Sequence, residues 1–247
     1  MRWRASTRAT RLAGPARSRL HCCPGWGRSR PADRRAPAAL LRGCEASTLA
    51  AVERAIDTLR GLGAAVEECE LPHAAGAPLL TRTILLAEAA AYHADRLRRC
   101  PELLSPTLRG ALQTGSMVSA AHYLQAQRAR RVIVDAFIGA MARFEVLVMP
   151  TTPVPACRAE EDETALTGVR MRNTAPFNLT GLPAVSVPCG FSADGLPIGL
   201  QVVGRAWDEV TVLRVADAYE RATDWCARRP GTAVTSAGAP ASPRARA

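Results

Sequence analysis

Apolar residues recur along this chain at two spacings, and the places where the spacing changes mark its elements. Leu49, Val52, Ile56, Leu59 and Leu62 fall at steps of three and four. That stripe predicts a helix opened by Ser47 or Thr48 and stopped by Gly61 and Gly63. Residues 64–71 then alternate as a strand, and Pro72 closes it. A helix-to-strand unit of this kind belongs to an α/β layer fold. A second helix is predicted over 79–99, and a further one over 103–117 with breaks at Pro106 and Gly115. Ser119 opens a long helix whose core face holds Ile133, Phe137, Met141 and Phe144. A short buried strand covers 146–149. Residues 151–170 read as a surface loop, with Glu160 to Glu163 on a solvated face. The last helix, 208–226, buries Val212, Val215, Tyr219 and Ala222.

The most regular stretch is 173–204, NTAPFNLTGLPAVSVPCGFSADGLPIGLQVVG. Two β-branched-rich runs, 184–187 and 198–203, are each bounded by Gly and Pro, which predicts a pair of strands. Asp194-Gly195 between them supplies the positive φ of a tight connection, so the pair reads as a hairpin. Near-continuous apolar character suggests strands covered on both faces. Pro188 lacks a ladder donor, so the first strand should end or bulge there. Asn173 or Thr174 is expected to cap a short helical turn ending near Gly181.

These blocks resemble the amidase signature family. A Pro-Thr stretch (Pro150-Thr151-Thr152-Pro153) comes first. An Asn-x-x-Gly-x-Pro-Ala-x-Ser-x-Pro-x-Gly block follows from Asn178 through Gly190. A Gly-x-Pro-x-Gly-x-Gln block runs from Gly195 through Gln201, and an acid-led helix from Glu209 comes last. Several spaced blocks in one order are more specific than a single motif. The resemblance covers about residues 45–230. It implies the C-terminal portion of the amidase signature fold, an α/β mixed sheet with helices on both faces. It also implies hydrolysis of C–N amide bonds in small molecules by a Ser–cis-Ser–Lys triad. The closing helix of the family and the tRNA-dependent amidotransferase subunits within it are consistent with the same blocks. Thr174, Phe177 and Asn178 are nominated as the wall of a substrate pocket.

The residues that such chemistry needs are a different matter. All 32 basic residues are arginine, and the 247 residues contain no lysine. Arginine cannot act as a neutral base near pH 7. No Gly-Gly-Ser-Ser stretch and no Gly-x-Ser-x-Gly elbow is present; Gly115-Ser116 is the nearest pair to the first. His93 and His122 fall on predicted helices, where they read as ordinary helix residues. His73 follows the closing Pro72, and His21 lies in a basic lead. Cys189 reads as a small buried residue. No catalytic residue is therefore assigned. The expected picture is an inactive fragment that lacks the family's N-terminal catalytic half through truncation or a gene-model error, and whose partner would be a catalytic half or a second copy of the chain. The alternative is a non-catalytic subunit that completes an amidase or amidotransferase.

Charge divides the chain unevenly. Residues 1–43 hold 11 arginines against one acid, Asp33, whereas 44–247 hold 21 of each. The basic balance thus belongs to the lead, which excludes a nucleic-acid-binding face on the folded portion. The lead has no Val, Ile, Phe or Tyr. Arginine-rich and acid-poor, it is similar to a transit peptide or a nucleic-acid arm; the preferred reading is a basic low-complexity extension, disordered or mis-translated, that builds no core. Residues 44–230 would form the amidase portion and 231–247 a disordered tail. Eight cysteines without Cys-x-x-Cys spacing read as free thiols of a cytoplasmic protein. No metal spacing appears, Gly61-Leu62-Gly63 lacks the third glycine of a dinucleotide loop, and no run is long enough for a membrane span. No cofactor is expected.

Overall fold

The computed structural model describes residues 19–22, 40–41, 43–157 and 168–228. Five strands form one mixed sheet in the order β2-β1-β3-β5-β4. They are β1 (Arg19–Cys22), β2 (Ala65–Glu68), β3 (Val146–Pro150), β4 (Ala184–Phe191) and β5 (Pro197–Gly204). β1 runs parallel to both β2 and β3, while β3, β5 and β4 are antiparallel neighbours. Helix α1 (Ala46–Gly61) connects β1 to β2, the crossover that a parallel pair requires. Between β2 and β3 come α2 (Ala77–Tyr92), α3 (Ala94–Arg99), α4 (Pro106–Ser116) and α5 (Ala120–Met141). A short helix α6 (Ala175–Thr180) precedes β4, and α7 (Glu209–Arg221) follows β5.

The two-residue period of β3 sets the layers. Val146 and Val148 join a core beneath α1 and α7 with Ala51, Val52, Ile56, Leu200, Val202, Val212 and Tyr219. Leu147 and Met149 point the other way, into a core with Ile84 of α2, Ile133, Phe137 and Met141 of α5, and Phe177 of α6. Helices thus cover both faces, as expected from the resemblance. Ser119 caps α5 as predicted, its Oγ accepting from the His122 N–H at 3.2 Å. Gly181 ends α6 at φ 73°, the left-handed conformation that glycine adopts without strain.

Four expectations need correction. The lead is expected to build no core, but Arg19–Cys22 pairs between β2 and β3, and Leu40 and Leu41 are buried. Strand pairing uses backbone donors and acceptors, so a segment poor in β-branched residues can still fill a slot between two strands. β4 is not covered on both faces: it is the sheet edge, and Ala184 and Ser186 are exposed. Its ladder shifts between Pro188 and Gly190, the bulge anticipated from the proline, and the strand continues beyond it. The helix expected over 79–99 is two helices joined at His93, where the chain leaves helical geometry at φ −95° and ψ 10°. The final helix stops at Arg221; Ala216 takes the buried position expected for Val215, and Ala222 is exposed. Glu160 to Glu163 and residues 231–247 lie outside the described residues.

Candidate functional site

The carboxyl end of β3 gathers polar groups from four distant segments. Strand pairing places Pro150 opposite Leu200, and the Thr151 N–H then donates to Gly199 O at 2.9 Å. Thr151 Oγ1 and Ser186 Oγ meet at 2.6 Å. Gly199 lies between them: a Cβ there would sit 2.6 Å from Ser186 Oγ and 2.7 Å from Thr151 Oγ1. Only glycine leaves room for this hydroxyl pair. Asn173 is fully buried; its Nδ2 donates to Pro150 O at 3.0 Å. Gln201 Nε2 donates to Asn173 O at 3.1 Å, tying the segment before α6 to β5. The α1 end joins through the Glu45 N–H, which donates to Pro153 O at 2.8 Å. Asn173 Oδ1 and the Nε and Nη2 atoms of Arg172 are buried without a hydrogen-bond partner among the described residues.

Cys44 stands at the same junction. Burial pushes its thiol up, against the opposing Arg172 charge and hydrogen bonds with Asn173 and Arg172. It is therefore a protonated thiol at neutral pH. In open α/β sheets ligands bind outside the carboxyl ends of strands, which is where this cluster lies. Its groups can hold and orient a polar ligand. Activation of a nucleophile would need a base, and the hydroxyl pair has no histidine or carboxylate hydrogen bond among the described residues.

The other candidate residues are dispersed. Ser116 Oγ donates back to Leu112 O at 3.0 Å within α4. Cys189 is 1% exposed, and burial pushes its thiol up to about 12, so it is no nucleophile near neutral pH. His73 holds a left-handed turn at φ 64°, His93 meets the Tyr92 ring edge-on, and His122 Nδ1 lies 3.1 Å from Ser119 Oγ. The backbone of His21 is in β1.

The nominated pocket wall divides in two. Thr174 occupies the N-cap position before α6, half-buried, but its hydroxyl donates to Met171 O at 3.3 Å rather than capping the helix. Phe177 is buried and packs edge-on against Phe137, with ring centroids 5.9 Å apart. Asn178 is exposed. Thr151, Ser186, Gly199 and Gln201 are all positions of the blocks that carry the family resemblance, but that they meet is visible only from the strand register, which pairs Ser186 with Gln201 and Pro188 with Gly199.

The same sheet and helices occur in known proteins. Residues 39–213 match the Amidase family. The chain belongs to the amidase signature family. An amidase of Pseudomonas putida is 43% identical over 188 residues, covering 73% of this chain and 40% of that protein. A glutamyl-tRNA(Gln) amidotransferase subunit of Synechococcus sp. (strain JA-2-3B'a(2-13)) is 40% identical over 215 residues, covering 77% of this chain and 42% of that protein. Among solved structures, an amidase crystal structure superposes with a TM-score of 0.71 at 25% identity, covering 84% of this chain and 46% of that one. The corresponding glutamyl-tRNA(Gln) amidotransferase subunit from Thermotoga maritima does so with a TM-score of 0.63 at 28% identity, covering 83% and 42%. This chain thus spans about two fifths of the length of the two curated relatives.

Proposed function

We propose that this chain is the scaffold and pocket portion of an amidase-family C–N hydrolase and that by itself it does not hydrolyse amides. The observation that carries this reading is the absence of lysine from all 247 residues, in a family whose resemblance implies a lysine base. The hydroxyl pair Thr151–Ser186, which has no histidine or carboxylate hydrogen bond among the described residues, supports it. In this reading the nucleophile and base belong to the family's N-terminal catalytic half, outside these 247 residues, and a small-molecule amide is the substrate. Thr174 and Asn178 line the substrate side of α6, while Phe177 anchors that helix to α5 through Phe137.

The names of the relatives favour a second reading in one respect: several are subunits of an amidotransferase, so a partner-dependent role fits the family. Both readings take the chain to be a cytoplasmic protein. No described helix is long and apolar enough to cross a membrane.

The test is an assay of the purified chain against aryl amides, ureides and small aliphatic amides. No turnover above buffer is expected. Turnover that survives both Ser116→Ala and Ser186→Ala would overturn the proposal. Co-expression with a lysine-bearing catalytic half of the family should restore activity in the scaffold reading.

A further inference from the structure

The opposite side of the sheet from the hydroxyl pair carries a cavity of about 320 Å³ between α1, β4, α7 and the turn Trp225–Ala227. That is close to the lower end of small-ligand pockets, about 300 Å³. Cys189 and Tyr219, each 1% exposed, line its depth, and Trp225 forms a side. Arg54, Asp224 and Arg228 surround the mouth and are exposed.

The two arginines define the chemistry. The Arg228 guanidinium lies over the Trp225 ring at 5.0 Å and the Phe191 ring at 5.4 Å, which holds the cation at the rim. The Arg54 charge reaches both Cys189 and Tyr219. Neither arginine makes a salt bridge among those formed by the described residues. Against two guanidinium groups stands one carboxylate, Asp224, so the lining carries a net single positive charge. The deep groups are neutral, because burial keeps the Cys189 thiol and the Tyr219 hydroxyl protonated, both pushed up to about 12. A cationic rim over a neutral floor with aromatic walls complements a small molecule that has an anionic head and a flat apolar body. Guanidinium groups favour planar carboxylates, and a single net charge suits a monoanion better than a dianion.

We propose that this cavity binds a small aromatic carboxylate, held at its head by Arg54 and Arg228 with its ring against Trp225 and Tyr219. The site is separated by the sheet from the cluster at the end of β3, and its occupancy does not depend on whether the chain hydrolyses anything.

Titration calorimetry on the purified chain tests it, with benzoate, its neutral isostere benzamide, and inorganic phosphate as probes. Benzoate should bind saturably at one site, and benzamide and phosphate should not. Arg54→Gln and Arg228→Gln should each weaken benzoate about tenfold or more, the usual scale for a charge-assisted hydrogen bond. Both side chains are exposed, so each variant should stay folded with a cooperative melting transition, lowered slightly for Arg228→Gln by loss of its ring contacts, which separates lost binding from lost folding. Absence of saturable benzoate binding would overturn the proposal. So would equal binding of benzamide or phosphate, or benzoate affinity unaltered in both variants.

Discussion

The face of the sheet beneath α1 and α7 and the face beneath α2, α5 and α6 are built from the same strands, yet they bury different chemistry. Along β5, Ile198, Leu200 and Val202 enter the first core, while Gly199, Gln201 and Val203 turn to the second. The first is aliphatic down to a neutral thiol and phenol. The second includes Thr81, Asn173 and Gln201, each bonded to backbone carbonyls. A buried amide holds its place through directional bonds, whereas a buried valine is held by volume alone. The second face can therefore position groups for a ligand at the β3 end, and the first supplies the rigid backing.

That contrast can be broken at several points. The largest effect is expected from Phe137→Ala, which empties the centre of the second core and unseats Phe177. It should cost about 3–5 kcal/mol, read from urea denaturation. A loss below about 1 kcal/mol would mean that α6 is not anchored through this pair. Asn173→Ala comes next: it strips the Pro150 carbonyl of its donor and should cost about 1–3 kcal/mol. A neutral result there would remove the claim that directional bonds organise the second face.

Gly204→Ala probes the backing face. A Cβ at 204 would lie 2.4 Å from Val212 Cγ2 and 3.2 Å from Asp208 O, and valine is stiff. Displacing α7 in this way should cost about 1–3 kcal/mol and lower the melting temperature. An unchanged melting curve would show that α7 is loosely docked.

Alkaline pH separates the faces chemically. Cys189 and Tyr219 both belong to the first face, and their folded pKa values are raised to about 12 from ordinary values of 9.0 and 10.0. A raised pKa contributes stability that is complete below the unfolded value and lost as pH climbs. Denaturation midpoints should therefore hold level up to about pH 9 and decline towards pH 12. A midpoint that rises across that window would contradict the burial of these two groups. Ser186→Ala, at the exposed edge, should be the mildest change, within about 0.5 kcal/mol. A larger loss would show that the hydroxyl pair is structural rather than available to a ligand.

Much of the fold is legible without any coordinates. The stripe through Val52, Ile56 and Leu59 and the one through Ile133, Phe137 and Met141 are buried as their spacing requires. The Ser119 cap, the Gly181 terminus and the bulge at Pro188 all follow from local backbone chemistry. Two of the four corrections are non-local. The burial of β4 depends on whether another strand lies beside it, and apolar content does not report that. The slot filled by Arg19–Cys22 is set by the gap between β2 and β3, not by side-chain preference.

The candidate site is less legible. Thr174, Phe177 and Asn178 share one helical turn, but the fold sends Phe177 inward and leaves Asn178 exposed. Thr151 and Ser186 are 35 positions apart and become neighbours only through strand register.

By itself the sequence determined the family and the local elements, and it showed that no lysine is present, because blocks, periodicity and composition are properties of order along the chain. Tertiary structure alone decided which strand became an edge, which hydroxyls met and where two arginines came to flank one cavity. Those outcomes depend on how separate segments pack against one another, and packing is a property of the whole set of elements rather than of any one of them.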